Sequence, residues 1–298
     1  MILVVGASGQ LGSRVARRLL LGGTAVRAVS RRPERLEDLA ALGAELVRGD
    51  LLHDGWMSDA LRDVDQVVVA AHGLVPPDRR NHPDAVDGKG ARRLVDAAAR
   101  AGTGHLVYVS VAGADRRGSA FARTKFATEE HLRRSGLPHT VVRPTVFMEN
   151  QLLLMLAEPL RATGTVTFYG PGTTPLNWVS AADVADEVVR AVDDPSRDEA
   201  VWSVGGPDVL SRLEALAVVE AVLGKAARRK HVPVAGMRLL RGTAGRLNPG
   251  LRYLLDLSIS EVAPGGAIPA DAGLLDRVGR TRVREVVEGW AMDSRHDA

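Results

Sequence analysis

Hydrophobic positions come first as short continuous runs, ILVV at residues 2–5 being the earliest, and these runs alternate with segments in which apolar residues recur every third or fourth place. Short Val-rich runs with little polar alternation imply strands covered on both faces, and they predict strands at 2–5, 24–29, 45–48, 66–71, 105–110, 139–143 and 201–204. The periodic segments predict helices near 10–21, 35–42, 57–62, 84–101, 119–135 and 181–192. Alternation of this kind predicts an α/β fold: a doubly wound parallel sheet with helices on both faces, binding its ligands beyond the carboxyl ends of the strands.

After residue 205 the pattern changes to a helix at 211–223, a stretch punctuated by Gly and Pro, and a last helix near 280–291. The expected division is a nucleotide-binding domain over 1–147, completed by 176–204, and a smaller substrate-binding lobe from 148–175 and 205–298. Gly-Pro clusters at 170–172 and 264–269 predict loops.

Composition narrows the class. The 298 residues are 45% hydrophobic and 25% charged, ordinary for a soluble protein. Absence of cysteine excludes disulfides, a thiolate nucleophile and cysteine zinc sites, and it fits a reducing, cytoplasmic setting. No metal site is predicted. The N-terminus meets glycine after five residues and reads as a buried strand rather than a leader. No apolar run approaches the about 20 residues needed to span a bilayer, so no membrane partner is expected. The formal charge is +3, and arginine supplies most of the 39 basic residues. Arg14, Arg17 and Arg18 share one helix face exposed to water. The densest basic run, 227–231, has no interleaved aromatic residues, so it reads as a solvated connection and not a nucleic-acid surface.

The candidate chemistry lies at the strand ends. Gly6-Ala-Ser8-Gly9-Gln10-Leu11-Gly12 follows the first strand and opens a helix. Glycines there permit a tight turn and close backbone approach, and the helix N-terminus favours an anion, as in the Rossmann dinucleotide-binding unit. NAD binders carry an acid at the end of the second strand; here the residues are Ser30-Arg31-Arg32, which suit the 2'-phosphate of NADP(H). Asp50 and Leu51 follow the third strand, where the carboxylate could meet an adenine amino group or simply form a turn. Ala70, Ala71, His72 and Gly73 end the fourth strand, with His72 a candidate for donating to cofactor or substrate. Ser110 ends the fifth.

Several longer stretches resemble a known family: the glycine loop, VDGKGARRLVDAAARAG at 86–102, LVYVSVAGA at 106–114, the helix of Lys125 ending in SGLPHTVVRPTVFMEN at 135–150, and VSAADVADEVVRAV at 179–192. Together they are similar to the atypical short-chain dehydrogenase/reductases, and within these to the NmrA-like group of quinone reductases, isoflavone-reductase-like enzymes and redox-sensing regulators. The likeness covers about residues 1–235. It implies cofactor roles for the glycine loop, Arg31, residues 70–73 and Lys125, and it places Pro144, Thr145 and Phe147 beside the nicotinamide. It also implies a departure. The Tyr of the group's Tyr-x-x-x-Lys pair is replaced by Phe121, so that acid is absent.

Lys125, Ser110 and His72 therefore stand as the candidate catalytic residues, with Lys125 expected to hold the cofactor rather than transfer a proton. Tyr169, Asn150 and Gln151 are candidates at the cleft edge. Without a positioned acid, hydride transfer suits quinones, enones or imines, whose product anions are delocalised, better than plain ketones. The expected function is an NADPH-dependent reductase of a small apolar conjugated molecule, as a monomer or homodimer. A non-catalytic NADP(H)-binding sensor, or an isomerase that keeps its cofactor, stands as the alternative.

Overall fold

The structure is a computed structural model and describes residues 1–74, 78–116, 118–194, 199–263 and 275–296. The loop expected at 264–269 lies outside the described residues. The first half of the chain runs β1 (Ile2–Val5), α1 (Gln10–Leu21), β2 (Val26–Ser30), α2 (Glu37–Ala41), β3 (Glu45–Arg48), α3 (Met57–Ala60), β4 (Gln66–Val69), α4 (Ala91–Ala101), β5 (His105–Val109), α5 (Ala120–Arg134) and β6 (His139–Pro144). It continues through β7 (Val146–Phe147), α6 (Glu158–Thr163), β8 (Thr165–Tyr169), β9 (Pro175–Val179), α7 (Ala181–Asp193), β10 (Ala200–Gly205), β11 (Asp208–Ser211) and α8 (Arg212–Leu223). The last elements are β12 (Arg228–Val232), α9 (Val234–Gly242), α10 (Ala244–Leu247), α11 (Pro249–Glu261), β13 (Arg277–Val278) and α12 (Val283–His296).

The main sheet has eight strands in the order β13-β10-β6-β5-β4-β1-β2-β3, and every neighbouring pair is parallel. This is the doubly wound architecture that the continuous apolar runs predict. Successive strands step outward from β1 in one direction to β3 and, after β4 pairs on the other side of β1, in the opposite direction to β6. A crevice opens where the direction reverses, at the carboxyl ends of β1 and β4. The eighth strand, β13, comes from beyond residue 205.

Both faces of the sheet are covered. Val15, Leu19 and Val188 of α1 and α7 pack on one face with Val4, Val68 and Val107. Leu94, Val95 and Leu132 of α4 and α5 pack on the other with Leu3, Val67, Leu106 and Tyr108. A third cluster, with Met148, Leu152, Trp178, Leu216 and Val287, lies beneath α8 and α12. Each such side chain contributes about 1.5–3 kcal/mol relative to leaving it in water.

Two helices are wound more widely than the periodicity indicates. Residues 84–90 and 149–157 form π-helical turns ahead of α4 and α6. At the first of these the backbone is pressed against its neighbours: a Cβ on Gly90 would lie 2.4 Å from the Leu51 carbonyl oxygen. π-turns inside helices commonly mark functional sites, since they redirect side chains that an α-turn would place outward. Here the turn carries Asp87 into the interior. Helix α5 starts conventionally, with the Ser119 hydroxyl accepting from the Ala122 N–H at 3.1 Å.

Candidate functional site

The glycine loop is shaped by contact rather than by sequence habit. Gly6 has φ +90°, and a Cβ there would lie 2.8 Å from the Ala71 nitrogen, so the loop and the end of β4 close on each other. A Cβ on Gly12 would lie 2.2 Å from the Gly6 carbonyl oxygen, which only a hydrogen at that position avoids. Helix α1 begins at Gln10 with Gly9 as its N-cap and no side chain capping it, and Ser13 is the first residue to bond back to Gly9, at 3.0 Å. The first N–H groups of the helix are thus turned toward the crevice without a side-chain acceptor. This is the arrangement that receives a pyrophosphate.

Beside the loop, the Ser30 hydroxyl donates to Ser8 Oγ at 2.9 Å and accepts from the Arg32 N–H at 3.0 Å. Arg31 and Arg32 are exposed, and among the described residues neither guanidinium forms an ion pair. The Arg31 carbonyl is held by Arg48 at 2.9 Å, and Arg48 in turn reaches Glu34 at 3.3 Å, fixing the turn that carries the arginines. Two exposed guanidinium groups flanking a buried serine form a cradle of the right chemistry for a phosphate monoester, with Asp78 close enough to Arg31 for its carboxylate to feel that charge. Asp50 accepts from the Leu52 N–H at 3.0 Å, an Asx turn after β3, and Leu51 is buried behind it.

The ends of β4, β5 and β6 complete the crevice. Ala70 is tied to Val5 by its N–H at 3.0 Å. The His72 side chain is exposed at this edge, and the Leu74 N–H donates to its Nδ1 at 3.2 Å, so the ring proton of the neutral form resides on Nε2. Desolvation by the protein packed around the ring depresses the His72 pKa although its edge reaches solvent; Asp87 partly offsets this, and Lys125 adds to the depression. The imidazole is therefore neutral at pH 7 and presents an N–H donor. Gly73 N–H donates to Asp87 Oδ2 at 2.8 Å. Pro144 accepts from the Ala112 N–H at 2.8 Å, Thr145 donates through Oγ1 to Asn177 at 2.9 Å, and Phe147 remains partly exposed.

Lys125 lies beneath this edge, 2% exposed. Its Nζ is 2.8 Å from Asp87 Oδ1, donates to the Val109 carbonyl at 2.8 Å, and stands 4.8 Å from the Tyr108 ring centre and 5.8 Å from that of Phe121. Burial by itself would lower its pKa, but Asp87 and Tyr108 outweigh that and the net displacement is upward. The ammonium is thus a fixed cation. Tyr108 is wholly buried; burial pushes its pKa up to about 12, with Lys125 opposing. Phe121 fills the place of the absent acid with an apolar ring that is itself buried.

Ser110 is buried too, and its hydroxyl donates to Glu129 Oε1. Glu129 pairs with Arg143 at 2.6 Å, and Arg143 reaches Asp115 at 3.0 Å. Ser110 is therefore engaged by a carboxylate behind the strand end. Tyr169 is exposed on β8, and Gln151 accepts from Arg212 at 2.9 Å. The structure brings together the glycine loop, Ser30 and residues 70–73, and sets Lys125 just below them; Tyr169 and Gln151 belong to a different cluster around α8.

Sequence reasoning missed Asp87 altogether. It is 1% exposed and links Lys125 to the Gly73 backbone, while Thr128 donates to its own carbonyl oxygen at 2.7 Å. The available signal was Gly88 and Gly90 around it, small residues that allow the π-turn to approach its neighbours. Glu149 was missed as well: its carboxylate accepts from the N–H of Ala181 at 2.9 Å, at the start of α7, and lies 4.0 Å from Arg14.

Residues 1–243 match the model of the NmrA-like family. The chain belongs to the NmrA-like family. It is 34% identical to the (4-alkanoyl-5-oxo-2,5-dihydrofuran-3-yl)methyl phosphate reductase of Streptomyces griseus, over 80% of this chain and 79% of that one. It is also 34% identical to the NAD(P)H azoreductase of Xenophilus azovorans, over 76% of each. Among solved structures, the NADPH-dependent quinone oxidoreductase of Escherichia coli in complex with NADPH aligns over 98% of this chain and all of its own, with a TM-score of 0.76 at 21% identity. That last likeness is one of fold. No helix among the described residues is long and apolar enough to cross a membrane.

Proposed function

We propose that this protein is an NADPH-dependent oxidoreductase that reduces a small conjugated molecule, a quinone, enone or imine. The observation that carries the choice of substrate class is the state of Lys125. Held by Asp87 with its pKa raised, and faced by Phe121 at the position where a Tyr-x-x-x-Lys pair would place its Tyr, it offers positive potential and no mobile proton. Among the described residues, the crevice provides a hydrogen-bond donor at His72 Nε2 but no Tyr beside Lys125 at position 121 to serve as an acid. Reactions whose product anion is delocalised need only that donor.

When bound, NADPH supplies the hydride. Gly6, Ser8, Gly9, Gln10, Leu11 and Gly12 would hold its pyrophosphate; Ser30, Arg31 and Arg32 its 2'-phosphate; Asp50 and Leu51 its adenine. Residues 70–73, with Pro144, Thr145 and Phe147, would flank the nicotinamide. His72 donates from Nε2 to the oxygen or nitrogen on which negative charge develops. Lys125 acts from below the sheet edge as a positioning residue that fixes Asp87, and through Asp87 the Gly73 backbone. Ser110 would have to exchange Glu129 for the substrate in order to assist. The names of the relatives support the class: the ring named for the Streptomyces substrate has its carbonyl conjugated to a carbon–carbon double bond, and an azo bond is likewise a conjugated acceptor.

The test is steady-state turnover of a quinone, a butenolide enone, an azo dye and a saturated ketone, each with NADPH and with NADH. Turnover of at least one conjugated acceptor, with NADPH preferred and the ketone inert, is expected. Efficient reduction of the saturated ketone alone would overturn the assignment.

A further inference from the structure

We infer that the surface formed by β12, α9 and α10 docks on an anionic lipid surface. Between Glu220 and Asp256 the chain has eight lysines and arginines and no carboxylate; the rest of the molecule then carries 31 basic against 36 acidic residues, so a protein of net charge +3 divides into a segment of +8 and a remainder of −5. Such separation of charge is an electrostatic footprint for an anionic partner.

The segment also exposes aliphatic side chains among its cations. In α9, Met237 faces inward while Leu239 is 68% and Leu240 45% exposed, and in α10 Leu247 is 68% exposed. Arg238 and Arg246 beside them are exposed and form no ion pair among the described residues, whereas Arg229 and Arg241 are paired with Glu220 and Asp256. Exposed leucines cost nothing if solitary, but several of them interleaved with arginines make the pattern of a helix that lies in the plane of a membrane interface. A single-stranded nucleic acid would ask for exposed aromatic rings to stack on, and this surface has aliphatic ones. The contact is peripheral, since no described helix is suited to crossing a bilayer.

The surface stands beside the entrance to the crevice. Arg79 Nε donates to the Leu247 carbonyl at 2.7 Å, and the Gly250 N–H to the Asp78 carbonyl at 3.2 Å, so the α10–α11 junction is bonded to the loop that follows β4. Thr124 on α5 lies 3.2 Å from the Tyr253 hydroxyl of α11. An apolar acceptor dissolved in lipid would meet the protein on this side; that clause alone rests on the proposed reductase function.

The experiment is flotation of the purified full-length protein with vesicles of phosphatidylcholine alone or with one third phosphatidylglycerol, at low and at physiological salt. No activity enters the readout, so failure here is separate from failure of the functional reading. Binding to the anionic vesicles only is expected. Arg238→Glu/Arg246→Glu should weaken it at least about 25-fold, taking each cation near the surface as worth about fivefold. Leu239→Ser/Leu247→Ser should weaken it about tenfold or more; both pairs are exposed, and unchanged thermal unfolding would show that the fold is intact. No binding to anionic vesicles, or binding indifferent to the leucine pair, would overturn the inference, as would tighter binding to single-stranded RNA through the same arginines.

Discussion

Replacing Lys125 by Met tests the buried pair most sharply, because Met retains most of the volume and removes the charge. In the parent, the ammonium and the Asp87 carboxylate are 2.8 Å apart and almost fully shielded from water. Removing one partner of such a pair leaves the other as an uncompensated buried charge, at a cost of about 3–5 kcal/mol. At about 2–3 °C per kcal/mol for a chain of this size, the melting temperature should fall by roughly 6–15 °C. The companion Asp87→Asn/Lys125→Met removes both charges of this pair, and the Asn oxygen can still accept from Gly73 N–H. It should recover at least about half of the loss, a coupling of about 2 kcal/mol. Urea unfolding followed by circular dichroism would measure the four stabilities of the cycle, and NADPH titration would show whether crevice geometry follows them. Additive losses in the double variant, or a Lys125→Met loss below about 1 kcal/mol, would refute the argument, since either would mean that the ammonium is solvated or not coupled to Asp87.

Arg31→Asp should weaken NADPH by at least about tenfold while leaving NADH within about threefold, because a bidentate charge-assisted contact is lost only from the phosphorylated ribose; equal losses in a fluorescence titration would dismiss the 2'-phosphate role. Gly12→Ala should abolish tight cofactor binding and lower the melting temperature, since its Cβ would sit 2.2 Å from the Gly6 oxygen; calorimetric titration at parental affinity would contradict this. His72 has a folded pKa below its unfolded value, so the stability it contributes is complete above about pH 6.5 and is lost as pH falls further. His72→Asn should flatten that acid limb in a plot of unfolding free energy against pH, and an unchanged slope would remove His72 as its source.

Strand and helix placement was legible because both are written locally. The apolar run of β1 and the Val-rich runs of β4, β5 and β6 read as buried strands, and the glycines of the loop before α1 are demanded by contacts that any dinucleotide turn makes. The cluster under the crevice was not legible. Asp87 sits in a sequence, VDGKG, that reads as the exposed first turn of a helix, and only the π-turn and its packing against α5 bring it to Lys125. Ser110 was sound as a strand-end residue, yet its hydroxyl direction depends on Glu129, nineteen residues away on another element. The region after residue 225 read as a punctuated stretch because its helices are short and carry few inward residues; Met237 is buried in α9, and Gly245 in α10. Its even cationic composition was visible in the chain, but exposure of the leucines beside it is a property of the fold.

Reducing equivalents are proposed to pass from bound NADPH to a conjugated acceptor in this crevice. A single-turnover experiment tests it most directly: the protein is loaded with stoichiometric NADPH, mixed in turn with quinones, enones, imines and a saturated ketone, and followed by loss of the reduced-cofactor absorbance. Rapid oxidation by at least one conjugated acceptor, and none by the ketone, is expected. Tight NADPH binding with no oxidation by any acceptor would contradict it, and would make the protein a cofactor-binding sensor instead.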